Sequence, residues 1–99
     1  MGQMKLEPPP RYNGGKKPSI VRWLTEVHRW MRLMAYPENQ YVDIVVMRLE
    51  GAAAMWLEGV LQAVAQGRRH QWAGWAEFRD EMIRTFAPLT EQEVARQEL

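Results

Sequence analysis

From Ile20 onward the chain carries helical stripes of apolar side chains separated by short breaks. Ile20, Leu24, Val27, Met31 and Met34 recur at spacings of four and three, and Trp23 and Trp30 widen the stripe. That spacing predicts a helix over about 19–35 with one buried face. Arg22, Glu26, Arg29 and Arg32 fall opposite and read as a solvated surface. Ser19 is the expected N-cap, because its hydroxyl can accept a bond from an otherwise orphaned amide. His28 lies beside the stripe and reads as a boundary residue rather than a ligand or catalyst.

Tyr36-Pro37-Glu38-Asn39 breaks the pattern, and a second helix is predicted over about 38–49. Its apolar residues, Tyr41, Val42, Ile44, Val45, Val46, Met47 and Leu49, wrap most of the circumference, as in a helix contacted on several sides. The β-branched run Ile44-Val45-Val46 also fits a strand. A helix is preferred because no partner run occurs elsewhere, and a propensity difference under ~1 kcal/mol per residue yields to tertiary context.

The segment Leu49-Glu50-Gly51-Ala52-Ala53-Ala54-Met55-Trp56 is read as a tight corner between two helices. Gly51 allows the chain to turn at once, the alanines start a helix that neighbours can approach closely, and Trp56 fills the space behind. The third helix is predicted over about 52–66, with Ala53, Trp56, Leu57, Val60, Leu61 and Val64 as its stripe and Gly67 as its C-terminal cap. Gly67-Arg68-Arg69-His70-Gln71 is a short basic loop, read as solvated in preference to phosphate-binding. A fourth helix over about 74–86 carries Trp75, Phe78, Met82 and Phe86 at spacings of three and four, with Trp72 just before it and Pro88 ending it. Thr90 and Glu93 form a capping box that starts a fifth helix over 90–99, expected to be cut short or to lead into another domain.

Residues 1–18 hold four of the six prolines together with Gly14-Gly15 and Lys16-Lys17, which excludes regular helix. They are expected to form an extended arm, pinned to the lobe by Leu6 or Tyr12. The fold class is therefore all-α: a compact bundle of four to five helices over 19–99, preceded by an extended Pro/Gly-rich arm over 1–18.

Composition narrows this further. Ninety-nine residues make one domain that buries roughly 65% of its unfolded surface. Five tryptophans and seven methionines help so short a chain build a core or an adaptable surface. A formal net charge of +1 provides no field for nucleic acid or anionic membrane. The lack of cysteine removes disulfides, thiolate catalysis and cysteine-ligated zinc. No apolar run approaches the roughly 20 residues of a membrane span, and the start lacks a signal-peptide core. Met1-Gly2 does not complete a myristoylation motif, because Leu6 stands where Ser or Thr is required.

No convergent chemistry emerges. His28 and His70 lie in different elements, and Gly14-Gly15-Lys16-Lys17 lacks the spacing and preceding strand of a phosphate loop. Asp80, Glu81 and Arg84 share the outer face of the fourth helix, where ion pairs contribute about 0.3 kcal/mol. The chain is expected not to be an enzyme and to hold no metal or cofactor.

Four landmarks occur in order. They are Pro10-Arg11-Tyr12-Asn13-Gly14, then Val21-Arg22-Trp23-Leu24 with Val27 and Trp30-Met31, then Leu49-Glu50-Gly51-Ala52-Ala53 with Trp56, and last Trp75-Ala76-Glu77-Phe78 with Met82, Phe86 and Pro88. Together they resemble the Gag capsid amino-terminal lobe of gypsy-class LTR retrotransposons and of domesticated Gag-derived proteins of the Arc and retrotransposon-Gag-like kinds. The resemblance spans about residues 8–99, with Trp23, Leu24, Trp30, Gly51, Ala53, Trp56, Trp75, Phe78 and Phe86 as fold landmarks. It implies a structural self-assembly module that contributes to a virus-like shell around RNA, as a homo-oligomer in the full-length protein. RNA contact would come only indirectly, through a zinc knuckle outside these residues, and a second helical lobe would normally follow. The alternative it implies is a peptide-binding adaptor lobe whose groove takes extended hydrophobic peptides; the chain's own Leu6 to Tyr12 is the stretch expected there. Location is expected to be intracellular and cytoplasmic, including within virus-like particles, without membrane contact.

Overall fold

A computed structural model describes residues 7–87 of the chain. Leu6 and the predicted fifth helix with its Thr90–Glu93 box lie outside the described residues. Within them the chain forms α1 (Ile20–Leu33), a 3-10 turn (Glu38–Gln40), α2 (Tyr41–Val46), α3 (Gly51–Ala65) and α4 (Trp75–Phe86). The fold is all-α.

α1 begins where its cap predicts, with the Arg22 amide donating to Ser19 Oγ at 3.2 Å. Ile20, Trp23, Leu24, Val27 and Met31 are its buried residues. Met34, expected to continue the stripe, is 38% exposed because the helix ends before it. The exit is a Schellman turn: Ala35 N–H donates to Arg32 O at 3.0 Å and Tyr36 N–H to Met31 O at 3.1 Å. Ala35 occupies the left-handed position of this turn with φ 60°.

The second helix is shorter than the hydrophobic run. α2 stops at Val46, and Leu49 instead forms a parallel bridge with Tyr12. Helix through Leu49 is incompatible with that pairing, because the Arg48 carbonyl and Glu50 amide are spent on Tyr12. Tyr41 and Val45 are buried, and Val42, Ile44 and Val46 pack against the same core. Met47 is 72% exposed, so the expected all-round burial of this segment ends with α2.

α1, α2 and α4 pack on one another, and Trp23, Val27, Met31, Val45, Phe78 and Met82 lie fully buried between them. Each such side chain contributes about 1.5–3 kcal/mol by leaving water. α3 is different: only Ala53 and Val60 of its fifteen residues are buried. Of its expected stripe, Trp56, Leu57 and Val64 are half-buried, and Leu61 is 42% exposed. It ends in a second Schellman turn, with Gly67 N–H on Val64 O at 3.0 Å and Arg68 N–H on Ala63 O at 2.9 Å.

Candidate interaction surface

Two features could serve a partner: the seam where residues 9–13 meet the α2–α3 corner, and the outward face of α3. The seam combines backbone pairing with side-chain donors on backbone carbonyls. Tyr12 N–H donates to Arg48 O at 3.0 Å, Glu50 N–H to Tyr12 O at 2.9 Å, and Ala53 N–H to Asn13 O at 3.2 Å. Side chains from the body reach the carbonyls just before: Trp23 Nε1 donates to Pro10 O and Arg48 Nη2 to Pro9 O, both at 2.6 Å. Arg11 returns the exchange from the other side, donating Nη1 to Met47 O at 2.9 Å.

Consecutive prolines suit this position. They hold an extended backbone and bring no amide that would need its own partner. Tyr12 then drops into the core at 1% exposure, its ring 5.2 Å from Trp23 and edge-on to Phe86 at 5.5 Å. Gly51 turns the corner with φ 55°, and a side chain there would stand 3.4 Å from Asn13 Cβ. That distance is ordinary van der Waals contact, so it is the left-handed backbone angle that favours glycine at this position.

From Phe86 the aromatic contacts continue through the lobe. Trp56 packs edge-on to Phe86 at 5.5 Å and touches Trp72 at 5.9 Å and Phe78 at 6.4 Å. Trp75 is 6.0 Å from Phe78 and carries Tyr41 on its edge at 5.6 Å. His28 is stacked on Trp75 at 5.7 Å. Trp30 is half-buried and lies beside Tyr36 at 5.6 Å. Trp23, Leu24, Ala53, Trp75 and Phe78 are buried; Trp30, Trp56 and Phe86 are half-buried, and Gly51 lies at the surface. The structure thus joins the landmarks around Tyr12 and Trp56 into a framework, with no open polar site among them.

One cluster was not legible in the sequence. Arg69, read as part of a solvated loop, grips Glu81 of α4 with two hydrogen bonds of 2.8 Å, and Trp72 Nε1 donates to the same carboxylate at 2.8 Å. The Arg69 hydrogen bond holds the Glu81 carboxyl below its ordinary range, with help from Trp72 and against the opposing effect of burial. Glu81, which its spacing places with Asp80 and Arg84 on the outer face of α4, is thus bound across the loop by Arg69, and the nearby Arg84 charge also lowers its carboxyl. A twelve-residue separation across a loop has no periodic signal by which it could have been found.

The α3 face is defined by what it lacks. Glu58 is the only charged residue between Gly51 and Ala65, yet Ala52, Met55, Gly59, Leu61 and Ala65 are exposed, Met55 at 73%. An apolar helix of this kind is normally covered. Among the described residues no three acidic or histidine side chains gather as metal ligands would, and no helix is long and apolar enough to cross a membrane.

Comparison with known proteins gives the class: a capsid-like domain of retrotransposon Gag origin. The chain belongs to the family described as the N-terminal capsid-like domain of the retrotransposon-derived protein PEG10, which it matches over residues 5–87. Searches of curated proteins and of solved structures returned no match.

Proposed function

We propose that this capsid-like lobe is a structural self-assembly module that associates with further copies of itself through the outer face of α3 and contributes to a shell around RNA. The observation that carries the proposal is the exposure of a fifteen-residue helix with one charged side chain. Small side chains along that face let a second backbone approach closely, and Met55 and Leu61 supply adaptable apolar contact. The role is scaffolding rather than catalysis, and RNA is enclosed rather than gripped by this lobe. Its setting is the cytoplasm, free or within particles. Sedimentation and electron microscopy of the full-length parent protein across a range of salt concentrations test it. Concentration-dependent oligomers, rings or shells are expected, and a parent that stays monomeric throughout would end the proposal.

A second reading has its own support in the seam. Residues 9–13 bind through carbonyls, amides and one buried side chain, which is how an extended peptide adds to a receptor edge. In this reading the lobe is an adaptor whose groove is filled by its own arm until an extended hydrophobic peptide replaces it. Calorimetric titration of such peptides into a chain lacking residues 1–12, shown to be folded by circular dichroism, is expected to give saturable binding. A folded truncation that binds none of them excludes the adaptor role.

A further inference from the structure

α3 is fastened at its two ends by different means. At the start, Ala53 is fully buried and its amide donates to Asn13 O at 3.2 Å. Beyond Val60 no residue of the helix is buried. The chain then turns at Gly67 and reaches α4 through residues 68–74. This return is tied to two carboxylates of α4: Glu77, which accepts from the Ala73 amide at 2.9 Å, and Glu81, which takes the side chains. Glu81 Oε2 accepts from Arg69 Nη1, while Oε1 accepts from Arg69 Nη2 and from Trp72 Nε1, each at 2.8 Å. The Trp72 ring so held contacts Trp56 of α3 at 5.9 Å and Phe78 of α4 at 4.8 Å. The Arg69 guanidinium lies 5.5 Å from the centre of the same ring.

We propose that Glu81 is a latch that sets the pose of α3. Closed, it wedges Trp72 between α3 and α4 and holds the outer face of α3 at one angle to the body. Open, it frees the far end, and α3 pivots about the Gly51–Ala53 corner that the arm keeps pinned. The latch as such needs only the contacts above; its value for docking rests on the assembly reading of the α3 face. Its chemistry is specific to a carboxylate. A guanidinium offers only donors, so it needs two acceptor oxygens, and a glutamine amide replaces one of these with a competing donor. The latch borders a surface cleft of about 230 Å³ lined also by His70, Gln71, Glu77, Asp80 and Arg84, so a partner's charged side chain has access to it.

Amide hydrogen exchange on the full chain and on Glu81→Gln tests this. Amides of 68–74 and of α3 beyond Val60 are expected to exchange about tenfold faster or more in the variant, while those of Tyr12, Glu50 and Ala53 keep their rates. Trp72→Phe keeps an aromatic six-membered ring and the Arg69–Glu81 pair while removing the Nε1 donor with the rest of the indole, and it serves if Glu81→Gln loses the fold; it is expected to release the same segment by a smaller factor. Unchanged exchange beyond Val60 in a folded variant, or equal acceleration in every helix, overturns the latch. Sedimentation of the full-length parent protein separates the two ideas: local release in the chain beside a parent that never self-associates removes the assembly reading and leaves the latch standing.

Discussion

Ala35 and Gly14 show how differently the chain treats its left-handed positions. Ala35 sits at φ 60° at the exit of α1, where its Cβ is strained and glycine would not be. Ala35→Gly is expected to stabilise the lobe by about 0.5–1 kcal/mol, the relief of strain exceeding the added entropy of the unfolded chain. Thermal unfolding would register that as a rise of several degrees. Gly14 has φ 91°, and a Cβ there would meet the Ala53 amide nitrogen and a Phe86 ring carbon, each at 3.2 Å. Because the first contact is backbone and cannot swing aside, Gly14→Ala should cost about 2–3 kcal/mol in a urea titration. The glycines at 51 and 67 announce turns in the sequence. Alanine is the best helix former, so nothing at position 35 betrays a left-handed residue.

At the level of elements, α1 and α4 were legible because each buries a regular stripe and carries its own stop signals. The apolar run predicts a longer α2 than forms because Leu49 pairs with Tyr12, 37 positions away, and no local pattern encodes that pairing. α3 shows a different limit. Periodicity places Ala53, Trp56, Leu57, Val60, Leu61 and Val64 on one face, but how far a neighbour covers that face depends on topology. The Arg69–Glu81 tie is also tertiary, and it carries a pH signature. The folded carboxyl lies below its ordinary value of 4.5, so its stabilising contribution is complete above that range and disappears as pH falls through the folded value. Arg69 remains charged throughout. At neutral pH Glu81→Gln is expected to cost about 1–2 kcal/mol. The gap between the two melting temperatures should close as both proteins are acidified below the ordinary carboxylate range. A gap that stays constant with pH would mean that the ion pair contributes nothing to stability.

For the whole molecule, the landmarks that carry the family resemblance are largely those that knit the arm, the corner and α4 into one body, which is why their order alone points to a capsid-like domain. The α3 face plays no part in that body, and this separation can be tested with two substitutions. Tyr12 lies at 1% exposure between Trp23 and Phe86, and its backbone ties the arm to the corner. Tyr12→Ala is expected to cost about 3–5 kcal/mol, a large share of the 5–15 kcal/mol that stabilises a typical domain. Met55, at 73% exposure, touches little of the core, so Met55→Glu should change stability by no more than about 0.5 kcal/mol. That substitution nevertheless adds a charge to a helix that has only one, and in a self-associating parent protein two copies meeting through α3 would have to desolvate it. Sedimentation of the parent carrying Met55→Glu should therefore show a marked loss of oligomer with an unchanged melting temperature, whereas Tyr12→Ala should lower the melting temperature first. Undiminished oligomers in the Met55→Glu parent would move the contact away from α3 and leave its exposed face without a role.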